Sequence, residues 1–200
     1  MAKDRLKSPR TRMFVALDLP EETREGIVAW GKKALSDSAL RPLGADALHV
    51  TLAFLSWQPL RVVERLEEIL AESRVDSPRM ELRDPVPVPP RGRPRLFALP
   101  VESPGTMALQ ADLEERLVVA RLYKPEKRPF WAHVTVARVR REERGSSRPA
   151  RVSDPPGPLP KRLLRPIGGV RLTLYRSQLQ SQGAQYTPLA QVELPDRGRQ

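Results

Sequence analysis

Only two histidines occur in these 200 residues, and each is followed two places later by a threonine. The first pair lies in Leu48-His49-Val50-Thr51-Leu52-Ala53-Phe54, the second in Ala132-His133-Val134-Thr135-Val136-Ala137-Arg138. Imidazole is the side chain that titrates near neutrality, so two of them can divide acid–base work on a phosphate, one taking a proton while the other gives one. A lone histidine in a strand is ordinarily structural or merely exposed. Duplication of the whole motif, with Ala closing each copy, reverses that reading, because a structural role supplies no reason for the repeat.

The spacing calls for a strand. Side chains at i and i+2 leave the same face of a β-strand. His49 and Thr51 then point one way and Val50 and Leu52 into a core; His133 and Thr135 repeat this against Val134 and Val136. Strict alternation sends Arg138 off the histidine face, which makes it a weaker candidate for phosphate contact unless the strand ends or twists first. Phe54 and Phe130 flank the two motifs as candidates to stack a terminal base, with core packing the equal alternative.

The elements that must carry these strands repeat as well. Arg12-Met13-Phe14-Val15-Ala16-Leu17-Asp18 reads as a buried first strand. A helix over about 20–36 follows, with Ile27, Trp30 and Ala34 at helical spacing and Glu21 and Glu22 at its positive end. After the His49 strand comes a second helix over about 59–73, with Val63, Leu66 and Leu70 on one face, and then a short strand at 80–83. The order then restarts. Arg95-Leu96-Phe97-Ala98-Leu99-Pro100 resembles the first strand, a helix spans about 104–122, and the His133 strand follows a basic loop. The pattern predicts two similar lobes, each strand–helix–strand, with the histidine strands facing one another across a cleft. Two final strands, about 170–176 and 186–194, close the fold across a turn near Gln182-Gly183, and Pro188 suits an edge.

Composition sets the outer limits. There are 35 Lys+Arg against 24 Asp+Glu, a formal net charge of +11 and a pI near 10.8. That balance favours a polyanionic partner, nucleic acid first, with a solvated arginine-rich surface as the bland alternative. No cysteine is present, which excludes disulfides, thiolate metal sites and cysteine nucleophiles. Two histidines fall short of the usual zinc ligand set, so neither metal nor cofactor is expected. No apolar run approaches the roughly 20 residues that span a bilayer. The charged N-terminus lacks an apolar segment behind it, so a cytoplasmic protein without a membrane partner is expected. The 22 prolines cluster in 84–94 and 149–166, which read as loops. Residues 139–166 form a long basic, proline-rich loop, either an RNA-contacting flap or a solvated mobile segment. The division expected is a flexible basic tail at 1–11, one bilobal domain at 12–194 and a tail at 195–200, acting as a monomer.

Taken together, the segments at 12–20, 48–55, 128–138 and 172–177 resemble the 2H phosphoesterases, and among them the RNA 2′,3′-cyclic phosphodiesterases, formerly called 2′-5′ RNA ligases. The resemblance implies a bilobal α+β fold, with two antiparallel sheets related by a pseudo-twofold axis, helices packed outside and a central cleft. It implies metal-independent opening of an RNA 2′,3′-cyclic phosphate, or of a cyclic nucleotide, to a 2′-phosphate. In that scheme His49 is the proton donor to the leaving 3′ oxygen and His133 the base that activates water. Thr51 and Thr135 hydrogen-bond the non-bridging oxygens. Ser56 stands where the family often has Gly, and Ala132 where it often has Pro; both alter backbone freedom and neither removes a reacting group. Cleavage or joining of 2′-5′ bonds is the alternative activity, and a non-catalytic RNA-end binder the alternative from another class.

Overall fold

The computed structural model describes residues 9–73, 76–143, 145–180 and 183–195. Most of the tail expected at 1–11 lies outside them, as do Arg144 of the basic segment, Gln182 of the final turn and residues 196–200. Ten strands occur among the described residues: β1 (Arg10–Asp18), β2 (Leu40–Pro42), β3 (His49–Pro59), β4 (Arg79–Leu82), β5 (Val86–Val88), β6 (Leu96–Glu102), β7 (His133–Val139), β8 (Ile167–Gly168), β9 (Arg171–Gln180) and β10 (Gly183–Glu193). The helices are α1 (Glu21–Ala34), α2 (Val63–Glu72) and α3 (Pro104–Val119).

The strands run in the order β10-β9-β1-β3-β7-β6-β4-β8, with β2 added on β7 and β5 on β6. Every pairing is antiparallel. The strands form one ten-stranded sheet and not two separate ones; the two expected sheets are its halves, β10-β9-β1-β3 and β7-β6-β4-β8, joined at one paired position, Val50 opposite Val134. On either side of that pair β3 and β7 diverge, each keeping its own inner neighbour, β1 or β6. β10 terminates the path, as Pro188 suggests for a strand with one unpaired edge.

Local chemistry explains the helix boundaries. α1 starts directly after Pro20, with Glu21 and Glu22 in its first turn and Lys32 and Lys33 in its last, each sign where the helix dipole favours it. Ser103 caps α3: its hydroxyl accepts from the Thr106 N–H at 3.0 Å and donates to the Arg79 carbonyl at 2.6 Å, so one side chain ends α3 correctly and ties it to β4. α2 begins later than the apolar spacing predicts, because β3 runs on to Pro59 and a 3₁₀ turn, Leu60–Val62, intervenes. One core joins the layers. Leu17, Val50, Leu66, Leu70, Leu99, Leu109, Leu113, Val134 and Leu172 are all essentially buried. Each contributes about 1.5–3 kcal/mol by leaving water.

The 139–166 segment is held rather than loose. Both the Ser153 and Asp154 amides donate to Asp37 Oδ2 at 2.7 and 2.8 Å, Trp30 Nε1 donates to the Pro158 carbonyl at 3.0 Å, and the Leu159 amide donates to Asp84 Oδ1 at 2.8 Å. Leu159 and Leu163 enter the core. Two buried leucines and four polar ties replace the solvated loop that proline and arginine content predicts. The ties come from residues more than 70 positions away, so they leave no local trace.

Candidate active site

The single contact between β3 and β7 assembles the site. Val50 lies opposite Val134, and the neighbours of that pair, His49 and Thr51 on β3 and His133 and Thr135 on β7, alternate to the face turned away from the two valines. Four side chains that lie about 84 positions apart in sequence thereby share one patch. The electrostatics agree with this closeness, since charge on His133 lowers the proton affinity of His49.

Pairing with the inner strands carries the patch further. Along β1, Asp18, Ala16, Phe14 and Arg12 alternate strictly, and their partners on β3 are His49, Thr51, Phe54 and Trp57. The partner spacing of two, then three, then three arises because β3 holds an extra residue between Thr51 and Ala53 and another between Phe54 and Ser56. On β6, Pro100, Ala98 and Leu96 alternate, and their partners on β7 are His133, Thr135 and Arg138. The extra residue here is Val136. A bulge of one residue reverses the alternation beyond it. Phe54 and Arg138 therefore return to the histidine face at matching positions of the two lobes. Strict alternation, which would send Arg138 away, is overturned by this bulge; the side chain is exposed there.

The two histidines sit in different surroundings. His49 is 8% exposed, with Phe14, Tyr175 and Tyr186 around its ring at centroid distances of 5.1, 5.6 and 5.4 Å. Its Nδ1 is buried and has no hydrogen-bond partner among the described residues. Burial pushes this imidazole down to about 4; the Asp18 carboxylate pulls the other way and His133 adds to the depression. His133 is half-buried. Its Nδ1 lies 2.8 Å from the Trp131 carbonyl, an atom that only accepts, so Nδ1 carries the hydrogen and Nε2 is left as the basic nitrogen. Burial lowers its proton affinity as well, with the Trp131 carbonyl partly offsetting it.

Sequence reasoning misses two parts of this arrangement. Asp18 is buried and fully engaged: Oδ2 accepts from Thr173 Oγ1 at 2.8 Å and from Arg171 Nε at 2.9 Å, and Oδ1 accepts from the Tyr175 hydroxyl at 3.0 Å. The signal was the alternation of Arg171, Thr173 and Tyr175 on one face of β9, but nothing local shows that β9 lies against β1. The aromatic beside His133 is Trp131, stacked on it at 4.3 Å and 16°, whereas Phe130 packs against the core. Trp131 stands two residues before His133, so the rule that pairs His133 with Thr135 could have found it.

Facing His-x-Thr strands in two lobes that meet at one position define a 2H phosphoesterase. An RNA 2′,3′-cyclic phosphodiesterase of Thermus thermophilus is 32% identical over 193 residues, covering 92% of this chain and 90% of that protein. One from Escherichia coli is 30% identical over 183 residues, covering 89% and 93%. This chain belongs to the RNA 2′,3′-cyclic phosphodiesterase family. Among solved structures, that of TT0787 from Thermus thermophilus matches with a TM-score of 0.74 at 27% identity, over 93% of this chain and 99% of the other. Escherichia coli LigT complexed with 3′-AMP matches with a TM-score of 0.69 at 28% identity, over 94% and 99%. No family model matches the chain.

Proposed function

We propose that this chain opens RNA 2′,3′-cyclic phosphate ends to 2′-phosphate ends, without a metal, through His49 and His133. The observation that supports the reading is the Val50–Val134 pairing, which brings the two histidine-bearing strands together at one position. In-line attack needs entering and leaving oxygens on opposite sides of phosphorus, and a histidine from each lobe meets that requirement. His133 Nε2 takes the proton of the attacking water while its Nδ1–H is anchored on Trp131. His49 delivers a proton to the 3′ oxygen as the P–O3′ bond breaks. Thr51 and Thr135 donate to the non-bridging oxygens, and Arg138 adds a guanidinium where negative charge accumulates. Phe54 stacks the terminal base. The need for a 2′ oxygen makes the substrate RNA and not DNA.

Burial holds both imidazoles below their ordinary range, His49 down to about 4. A bound phosphodiester brings the negative charge that restores a proton to His49. Mutual repulsion between the imidazolium forms keeps the pair to one proton, which is the distribution an acid and a base require. One chain supplies every group named, over 12–194, which supports action as a monomer, and an RNA substrate supports a cytoplasmic setting. Among the described residues no helix is long and apolar enough to cross a membrane.

Phosphorus NMR of the product from a short RNA with a 2′,3′-cyclic end, incubated in EDTA, tests the proposal. A 2′-phosphomonoester is expected. A 3′-phosphate product, turnover only of 2′-5′ linked oligomers, or salt-sensitive binding without turnover would overturn it.

A further inference from the structure

The histidine face does not end at the residues a cyclic mononucleotide needs. Beyond His49 and Thr51 the same row of β3 continues through Phe54 to Trp57, each opposite a residue of β1: Phe14, then Arg12. Phe54 and Trp57 are both 57% exposed, and Arg12 is exposed beside Trp57. Two observations fix the side to which Trp57 belongs. Its cross-strand partner Arg12 alternates with Phe14, whose ring lies 5.1 Å from that of His49. Its chain neighbour Gln58 points the other way, donating to the Leu122 carbonyl just past α3 at 3.0 Å.

Beyond Thr51 the outer edge of β3 carries no partner strand among the described residues, because the pairing with β7 is confined to Val50. The row therefore runs beside an edge of β3 that no strand covers among the described residues. One exposed tryptophan is unremarkable on a protein surface. A tryptophan aligned with a phenylalanine and an arginine, two strand positions farther from the acid–base pair, is a graded continuation of the site. Two strand positions span about 7 Å, enough to separate the bases of successive unstacked nucleotides. The chain's net charge of +11 suits a polyanion lying along this face.

The geometry points to a second nucleotide subsite: Trp57 stacks the base of the penultimate nucleotide and Arg12 pairs with the phosphate that links it to the terminal one. The subsite rests on the cyclic-phosphate reading of the cleft and makes the enzyme selective for oligonucleotide ends over cyclic mononucleotides. It leaves the chemical step unchanged and acts on binding upstream of the reacting phosphate.

The test compares wild type, Trp57→Ala, Trp57→Phe and Arg12→Gln on a 2′,3′-cyclic mononucleotide and on a trinucleotide ending in the same cyclic phosphate. Trp57→Ala should lower kcat/KM for the trinucleotide roughly tenfold and leave the mononucleotide within twofold of wild type. Trp57→Phe, which keeps a flat ring, should recover most of the loss. Arg12→Gln should weaken trinucleotide binding and make it less salt-dependent, by about one counterion. Equal losses on both substrates, or no loss on the trinucleotide, would refute the subsite. Fluorescence anisotropy with a labelled trinucleotide 3′-phosphate is measured in parallel. If wild type turns over neither substrate, the cleft reading fails, and the anisotropy difference between wild type and Trp57→Ala still decides the subsite.

Discussion

Tyr175 joins Asp18 to His49: its hydroxyl donates to Asp18 Oδ1 at 3.0 Å while its ring lies almost parallel to the imidazole, 5.6 Å between centroids and 24° between planes. Asp18 is also the cross-strand partner of His49. One buried carboxylate thus fixes the wall against which the imidazole rests and supplies the negative charge that favours its protonated form. Asp18 on β1 and His133 on β7 act on His49 by charge, and Tyr175 on β9 and Tyr186 on β10 lie against its ring. Burial and the Asp18 charge push the Tyr175 phenol up to about 12, so it stays a donor throughout the working range.

Tyr175→Phe keeps the ring and removes the anchor. The fold should lose about 1–3 kcal/mol, since a buried carboxylate gives up one donor and keeps two. If Tyr175 positions His49, kcat falls several-fold with KM little changed, and the pH profile of kcat alters. Steady-state kinetics across pH measure this; a variant that is less stable but has wild-type kcat and profile would confine Tyr175 to a structural part.

Replacing either histidine by alanine should cut kcat by two orders of magnitude or more, and the double variant should lose little beyond the worse single one, because the two act as a unit. Circular dichroism is expected to show the fold retained. EDTA should leave wild-type turnover unchanged.

The pH dependence of the two kinetic constants should separate. Free-enzyme ionisations govern kcat/KM, and burial lowers both imidazoles from 6.5, His49 to about 4. The kcat/KM bell is therefore displaced to the acid side of 6.5. Bound phosphate charge raises His49, so the alkaline limb of kcat lies at higher pH than that of kcat/KM. Superimposable profiles would count against a depressed His49.

The same depression makes stability depend on pH. Above 6.5 neither the folded nor the unfolded state protonates residue 49, and its burial costs nothing extra. As pH falls from 6.5 to about 4 the unfolded chain gains a proton that the folded chain refuses, so stability drops by about 3 kcal/mol. Other groups titrate in that window. The readout is thus the difference in urea unfolding between wild type and His49→Asn, which should shrink by that amount as pH is lowered from 7 to 4.

Ser56 has a φ of 58°, in the left-handed region, next to the second bulge of β3. That conformation suits glycine, which has no Cβ to clash there. Ser56→Gly should be neutral or stabilise by up to about 1 kcal/mol, and Ser56→Val, whose branched Cβ tolerates positive φ poorly, should cost more than about 1 kcal/mol. Thermal unfolding of the two variants checks the order.

Sequence alone determined the candidate reacting groups, because the duplicated His-x-Thr pattern is local and a strand's period of two converts it directly into a shared face. It also determined the two-lobed order of elements, since hydrophobic spacing over 12–54 and 95–138 repeats. Tertiary structure alone decided which further residues join that face. Whether Phe54, Trp57 and Arg138 point toward the histidines depends on extra residues at Leu52, Leu55 and Val136, and a bulge exists only relative to a partner strand. The proton affinities were likewise beyond the sequence. They follow from burial beneath Phe14, Tyr175 and Tyr186 and from a carboxylate whose donors arrive from more than 150 positions away.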